Sequence, residues 1–348
     1  MKKILFVSGS FPPHPDGVAD FGRKILFELQ KSADVDIYYL SADNIAVKGH
    51  FKVSNWGLGT LKGMINRIKN ENYDLVFFQT PAYGFGTSLL STFYPFLVKL
   101  FTRKKLFIYL HEYTSRRFQG RIRQAIMCAP ANKLIVNDIR YIDQICKTVF
   151  VSKNKPFDFQ PVGQNLDVKI IPRLNNTTEP YIIAYFGMIR SGKGIQHLIK
   201  LIEILEKSNS RKFELNLIGG IVDKALLDSF PSSVKYLGKV EEKDIPSVFS
   251  KMDVFVQLYD GGLTGKRGSF IAPYMFERPV ITTKPQTKVW DFVNETTTNF
   301  VDFNVTDEVI SEVANLIEKD ASGEQKLRNF INNKKINIWD RIAQSVLE

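Results

Sequence analysis

The sequence predicts an α/β chain of two Rossmann-like domains, each a parallel sheet with helices on both faces. Three observations carry that expectation. The chain has 348 residues, more than one ordinary core accommodates and enough for two domains of roughly 150 to 170 residues. Short apolar runs alternate with amphipathic stretches, and parallel strands need crossover connections that are usually helical. The alternation occurs twice, on either side of a proline-rich segment.

The first series of strand-like runs covers residues 4–7, 36–40, 75–79, 106–110, 134–137 and 148–151, with amphipathic stretches such as 20–29 between them. The second covers 181–186, 214–218, 234–237, 254–258, 280–282 and 300–301. Between them, residues 152–180 hold Pro156, Pro161, Pro172 and Pro180 with the run Asn175-Asn176-Thr177-Thr178, a composition that breaks regular structure. The hinge is expected near 163–178. Domains of 1–165 and 166–330 follow, with a terminal helix in 331–348 returning to the first domain.

Hydrophobic residues make up 44% of the chain and charged residues 24%, which places it among globular proteins and excludes disordered and collagen-like classes. The apolar run after Met1-Lys2-Lys3 is too short for the core of a signal peptide. The longest apolar stretch, 89–101, contains Pro95 and Lys99 and falls short of the ~20 residues of a membrane span. Cys128 and Cys146 sit among apolar residues without the spacing of a zinc site or disulfide framework. A reducing, cytoplasmic setting is expected.

Net charge is +11, and part of the excess is concentrated. Between Leu90 and Ala125 stand Lys99, Arg103, Lys104, Lys105, Arg116, Arg117, Arg121 and Arg123 against the single acid Glu112. Phe93, Tyr94, Phe96, Leu97 and Phe101 share the stretch. Such a mixture reads either as a solvated surface or as a face that rests on an anionic membrane. Nucleic acid is not expected, because no helix-turn-helix, zinc-finger or RNP-like pattern accompanies the charge.

Ligands on open α/β sheets bind beyond the carboxyl ends of the strands, which directs attention to four loops. After residue 7 comes Ser8-Gly9-Ser10-Phe11-Pro12-Pro13-His14-Pro15-Asp16-Gly17, then a helix whose amides and dipole favour an anion near Gly17. Residue 110 is followed by His111 and Glu112. After residue 186 comes Gly187-Met188-Ile189-Arg190-Ser191-Gly192-Lys193-Gly194, which approaches a P-loop but has Gly194 where a magnesium-binding hydroxyl would stand, so an ATPase is not expected. After residue 258 comes Tyr259-Asp260-Gly261-Gly262-Leu263-Thr264-Gly265-Lys266-Arg267-Gly268-Ser269, leading into a helix over 270–276. Two strand-to-helix loops with glycines and paired cations form a cradle suited to a pyrophosphate.

In order and spacing these pieces resemble the retaining GT-B glycosyltransferases of family four over nearly the whole chain. Phe11-Pro12-Pro13 with Gly17 is similar to that family's first loop, His111 to a histidine ending a middle strand, and Arg190 with Lys193-Gly194 to the opening of its second domain. Pro161-Val162-Gly163-Gln164-Asn165-Leu166 and Thr264-Gly265-Lys266-Arg267-Gly268-Ser269 resemble motifs of one branch. The chain departs at the family's paired glutamates, where Thr264 and Ala272 stand.

The resemblance implies two Rossmann-like domains facing each other across a cleft and transfer of a hexose-type sugar, with retention, from a nucleoside-diphosphate donor. The acceptor would be a glycan, lipid-linked or protein-borne, in bacterial surface polysaccharide or glycoconjugate synthesis. It implies that Arg190, Lys193 and Arg267 hold the diphosphate with the amides of the Gly17 loop, with Lys266 and Gly268 also at the donor site. Asp260, Thr264 and Ser269 would complete the donor site. His111 would contact the donor sugar and help place the acceptor, beside Asp16, Glu112 and Arg116. No metal cofactor is expected: Asp34-Val35-Asp36 matches a metal-binding D-x-D pattern but opens a strand away from the ligand-facing ends. A UDP-sugar epimerase on the same fold and a non-catalytic transferase-like partner remain as alternatives.

Overall fold

Parallel strands covered by helices on both faces must be apolar on both faces, and the central strands here obey that rule. In the computed structural model, the residues described are all except 14–16, 42–46, 82, 87–88, 114–117, 149–150, 167–168, 170, 172–179, 191–192, 209, 223–226, 228–229, 320 and 334–336, and the side chains of 321–324 and 332–333. The chain forms two units, Met1–Gly163 with Asn337–Glu348, and Gln164–Ile336.

The first unit contains β1 (Lys2–Ser8), α1 (Gly17–Gln30), β2 (Ala33–Leu40), β3 (His50–Val53), α2 (Leu58–Asn70), β4 (Leu75–Thr80), α3 (Leu89–Thr102), β5 (Lys105–Leu110), α4 (Phe118–Cys128), β6 (Lys133–Val136), α5 (Arg140–Cys146) and β7 (Phe157–Phe159). Its sheet runs β3-β2-β1-β4-β5-β6-β7, parallel throughout. The second unit contains β8 (Tyr181–Phe186), α6 (Ile195–Ser208), β9 (Phe213–Ile218), β10 (Val234–Gly238), α7 (Ile245–Ser250), β11 (Val254–Gln257), α8 (Gly268–Met275), β12 (Val280–Thr283), β13 (Asn299–Val301), α9 (Asp307–Lys319) and α10 (Ala321–Asn333). Its sheet runs β10-β9-β8-β11-β12-β13, again parallel.

Strand order reverses once in each sheet, between β1 and β4 and between β8 and β11. At such a switch point the connections leave in opposite directions and open a crevice at the carboxyl ends of the strands. An aspartate anchors each of these strand pairs at its other end. Asp74 accepts the amide of Lys3 at 2.8 Å, and Asp253 accepts that of Ile182 at 2.7 Å.

Three local features differ from the sequence expectation. Thr148, expected to open a strand over 148–151, instead closes α5, its amide bonding to Ile145 O at 3.0 Å and its hydroxyl to the same oxygen at 2.6 Å, while residues 149–150 lie outside the described residues. The strand beside β6 is β7, inside the stretch expected to be linker; it lies at the sheet edge, where flanking Pro156 and Pro161 are tolerated. β3, at the opposite edge, was not expected. Residues 172–178 of the expected hinge lie outside the described residues.

The last helix, α11 (Ile338–Leu347), belongs to the first unit and packs on α1. Asn337 caps it, accepting the amides of Trp339 at 3.1 Å and Asp340 at 3.3 Å. Lys133 Nζ donates to Ser345 O at 2.6 Å, and the Ser345 hydroxyl donates to Asp158. The Trp339 ring lies 5.1 Å from that of Phe21 and directly against Gly163, where a Cβ would collide with the indole. The glycine at the end of the first unit is thus required by packing. Gly163→Ala is expected to displace Trp339 and lower the stability of the first unit by about 1–3 kcal/mol, the usual range for overpacking. A fall in the urea midpoint without a change in slope checks this.

Candidate active site

The switch point of the second unit is built from two loops that touch. After β8 the chain turns at Gly187, with φ of 144°, and enters α6 through Gly194, with φ of 74°. Both angles strain any residue with a side chain. A Cβ on Gly194 would also collide with Leu258 O, and one on Gly187 would lie 3.2 Å from Ser269 Cβ. The loops after β8 and β11 approach too closely for other residues.

Beneath them is Gln257, fully buried at the end of β11. Its Nε2 donates to Phe186 O at 2.9 Å, and its Oε1 accepts the Tyr259 hydroxyl at 3.0 Å. Tyr259 OH lies 3.2 Å from Ser269 Oγ, and the Arg267 guanidinium sits 4.6 Å over the Tyr259 ring. Burial pushes the Tyr259 phenol up to about 12, so it stays a neutral donor. Burial raises the Tyr185 phenol as well, and the charges of Arg267 and Arg190 oppose that shift. The two guanidiniums therefore act on one locality.

Arg190 is exposed, and Lys193, Lys266, Arg267, Gly268 and Ser269 are half-buried around the first turns of α6 and α8. Thr264 is buried, and among the described residues its hydroxyl has no partner; the same holds for Arg267 Nε. Asp260 is exposed, its carboxylate 3.4 Å from His197 Nε2 of α6. Ala272, at the position of the resembled family's second glutamate, is buried. Cations, helix amides and unpartnered polar atoms at one switch point can neutralise a pyrophosphate.

The first unit repeats the plan with different groups. Gln79, fully buried beside Ser8 in register, occupies in β4 the place Gln257 holds in β11. Its Nε2 donates to the Ser8 hydroxyl and, at 3.1 Å, to Val18 O in the first turn of α1; its Oε1 lies 3.3 Å from His111 Nε2. The His111 ring is packed by Phe21 at 4.6 Å and Tyr109 at 4.7 Å. Burial pushes its pKa down to about 3. Gly17 opens α1, and no described atom lies within 4 Å of where its Cβ would stand. Glu112 is exposed beyond His111. Asp16 and Arg116 lie outside the described residues.

Asp36 of the D-x-D pattern lies in β2 and accepts the Tyr73 hydroxyl. Sequence reasoning passed over Gln79 and Gln257. Their signal is the repeated Val-Phe-x-Gln at 76–79 and 254–257, a polar residue ending an otherwise apolar strand.

Residues 180–319 match the family Glycosyl transferases group 1. Solved structures align along the whole chain. Anabaena Alr3699/HepE, in complex with UDP and glucose, matches with a TM-score of 0.68 and 14% identity, over 100% of this chain and 99% of that one. The chain thus has the GT-B fold of these structures, and within its second unit residues 180–319 match the glycosyltransferase family. Sucrose-phosphate synthase from Thermosynechococcus elongatus matches with a TM-score of 0.72 and 15% identity, over 99% of this chain and 97% of its own. WaaG, a glycosyltransferase involved in lipopolysaccharide biosynthesis, matches with a TM-score of 0.66 and 11% identity, over 99% of each chain. No curated protein sequence matches.

The state of His111 has a measurable consequence. Its folded pKa lies below the unfolded value of about 6.5, so between the two the unfolded chain binds more protons and stability falls as pH falls. Unit 1 is expected to lose stability on acidification from pH 6.5, more steeply than in His111→Asn. Urea midpoints of both proteins from pH 7 to 4 check the difference, and the His111 ring signals should not titrate between pH 5 and 8.

Proposed function

We propose that the protein moves a hexose-type sugar from a UDP-type donor to a glycan, lipid-linked or protein-borne acceptor, with retention, in bacterial surface polysaccharide or glycoconjugate synthesis. The observation that carries this reading is the switch point of the second unit. There Gly187 and Gly194 bring two helix N-termini together under Arg190, Lys193, Lys266 and Arg267. HepE is named in complexes with UDP and with UDP-glucose, which supports uridine as the base.

In this reading, bond cleavage at the anomeric carbon leaves negative charge on the departing diphosphate. Cations and helix amides already in place stabilise that charge without reorganising. They carry the role a divalent ion has elsewhere, so transfer should not require a metal. His111 is neutral across the physiological range and so orients a sugar hydroxyl rather than shuttling protons. Asp16 and Glu112 serve the acceptor side. Arg190→Ala and Lys193→Ala are each expected to weaken UDP binding about 10- to 100-fold, the loss of a charge-assisted hydrogen bond, while uridine binding changes little. Calorimetry with both ligands tests this, and equal losses would remove the two residues from the diphosphate.

The same reading extends to an anionic membrane surface at the inner face of the cell membrane. No helix among the described residues is long and apolar enough to cross a bilayer. On α3, Leu89, Phe93, Phe96 and Leu100 recur at helical spacing, and with Phe101 and with Phe118 of α4 each is at least 42% exposed. Arg103 in the turn after α3, Lys105 at the start of β5 and Arg121 on α4 are exposed. Tyr94, in the sequence grouping, is buried, and Lys99 is turned to Lys104 O and Asn132. Exposed apolar side chains together with exposed cations suit an anionic leaflet, each cation adding ~1 kcal/mol near the surface. The protein should sediment with phosphatidylglycerol vesicles at low salt and release as the Debye length falls from ~10 Å at 0.1 M to ~3 Å at 1 M. Phe96→Ser with Arg103→Glu and Arg121→Glu should abolish it. Wild-type protein remaining in the supernatant would end the membrane assignment.

A further inference from the structure

Gln79 has no place in the chemistry described above, yet it touches three parts of the first unit's candidate site. We infer that Gln79 is a positioning residue that fixes the tautomer of His111, so that His111 Nδ1 faces a sugar hydroxyl as a hydrogen-bond acceptor. This rests on the role proposed for His111.

The amide orientation follows from its neighbours. Val18 O, 3.1 Å away, can only accept, so the group facing it must be the Gln79 NH2. The Ser8 hydroxyl donates to Ser10 O and is therefore free to accept from the same nitrogen. A flipped amide would set two oxygens against each other at Val18. With both amide hydrogens engaged, Oε1 is what remains for His111, and at 3.3 Å from Nε2 it calls for a proton on that nitrogen. A neutral imidazole carries one proton, so Nδ1 is left with its lone pair. No partner of Nδ1 exists among the described residues.

Gly22 of α1 shows that the arrangement is built. A Cβ there would lie 2.7 Å from Gln79 Nε2, so any other residue would push the amide away. The ring is held from its faces and edge by Phe21 and Tyr109. An acceptor nitrogen in this setting suits a neutral hexose, whose hydroxyl can donate. It repels the carboxylate of a uronic acid.

The test begins on the unmodified full-length protein. Imidazole nitrogen shifts of His111, assigned by comparison with His111→Asn, should show a protonated Nε2 and an unprotonated Nδ1 at pH 7. In Gln79→Met both tautomers should appear, and kcat with a UDP-hexose should fall about tenfold or more, with KM for the donor changed far less. A protonated Nδ1 in the unmodified protein, or an unchanged tautomer and kcat in Gln79→Met, overturns the inference. The shift measurement needs no substrate. Absence of transfer with the expected shifts would count against the proposed function and leave the role of Gln79 in fixing the tautomer standing.

Discussion

In each sheet a single buried glutamine amide holds the point where strand order reverses. An amide buried without partners costs about 1–3 kcal/mol, so Gln79 and Gln257 are compatible with their apolar strands because both the nitrogen and the oxygen of each amide are hydrogen-bonded. Each reaches from the fourth strand of its unit to the last residue of the first, Gln79 to Ser8 and Gln257 to Phe186. Asp74 and Asp253 tie the opposite ends of the same strand pairs. The loops that carry chemistry leave from strands pinned at both ends, so their positions are inherited from the sheet rather than from the loops.

What the two glutamines hold differs, and with it the chemistry open to each unit. Gln257 spends its amide on a backbone oxygen and on Tyr259, which in turn sits under Arg267 and beside Ser269. That produces a positively charged surface, suited under the proposed function to a diphosphate. Gln79 spends its amide on a serine, a helix turn and an imidazole. That produces a neutral ring with one defined acceptor, fitted to a polar group without charge.

Much of this was legible in the sequence, for identifiable reasons. Central strands such as β4, buried at every residue, have to be continuous apolar runs and so announce themselves. The glycines at 187 and 194 stand among cations because only glycine allows those loops to meet, and that too is local information. β3 and β7 escaped because an edge strand of three or four half-buried residues has little periodicity to read. Thr148, expected to open a strand, is a good β-former used instead for its hydroxyl at the end of α5. Non-local requirements were the least visible. Nothing near Gly163 in the sequence shows that Trp339 will lie against it, and Gly22 reads as a flaw in α1 until Gln79 is seen beneath it.

Departure from the resembled family's paired glutamates gains a physical setting from these contacts. Thr264 and Ala272 are both buried, and a carboxylate taken out of water at either place would need a cation or several donors to offset its desolvation. Beside Thr264, the Arg267 guanidinium is already stacked on Tyr259, with Nε unpartnered among the described residues. A buried hydroxyl and a guanidinium nitrogen without partners leave room for a ligand to bring the missing acceptor, which is what a phosphate oxygen or a sugar hydroxyl supplies. Where a glutamate would grip a ribose by accepting, this loop offers a neutral hydroxyl and a guanidinium N–H. Binding energy in this chain is therefore expected to be weighted toward the diphosphate, with less selectivity drawn from the ribose.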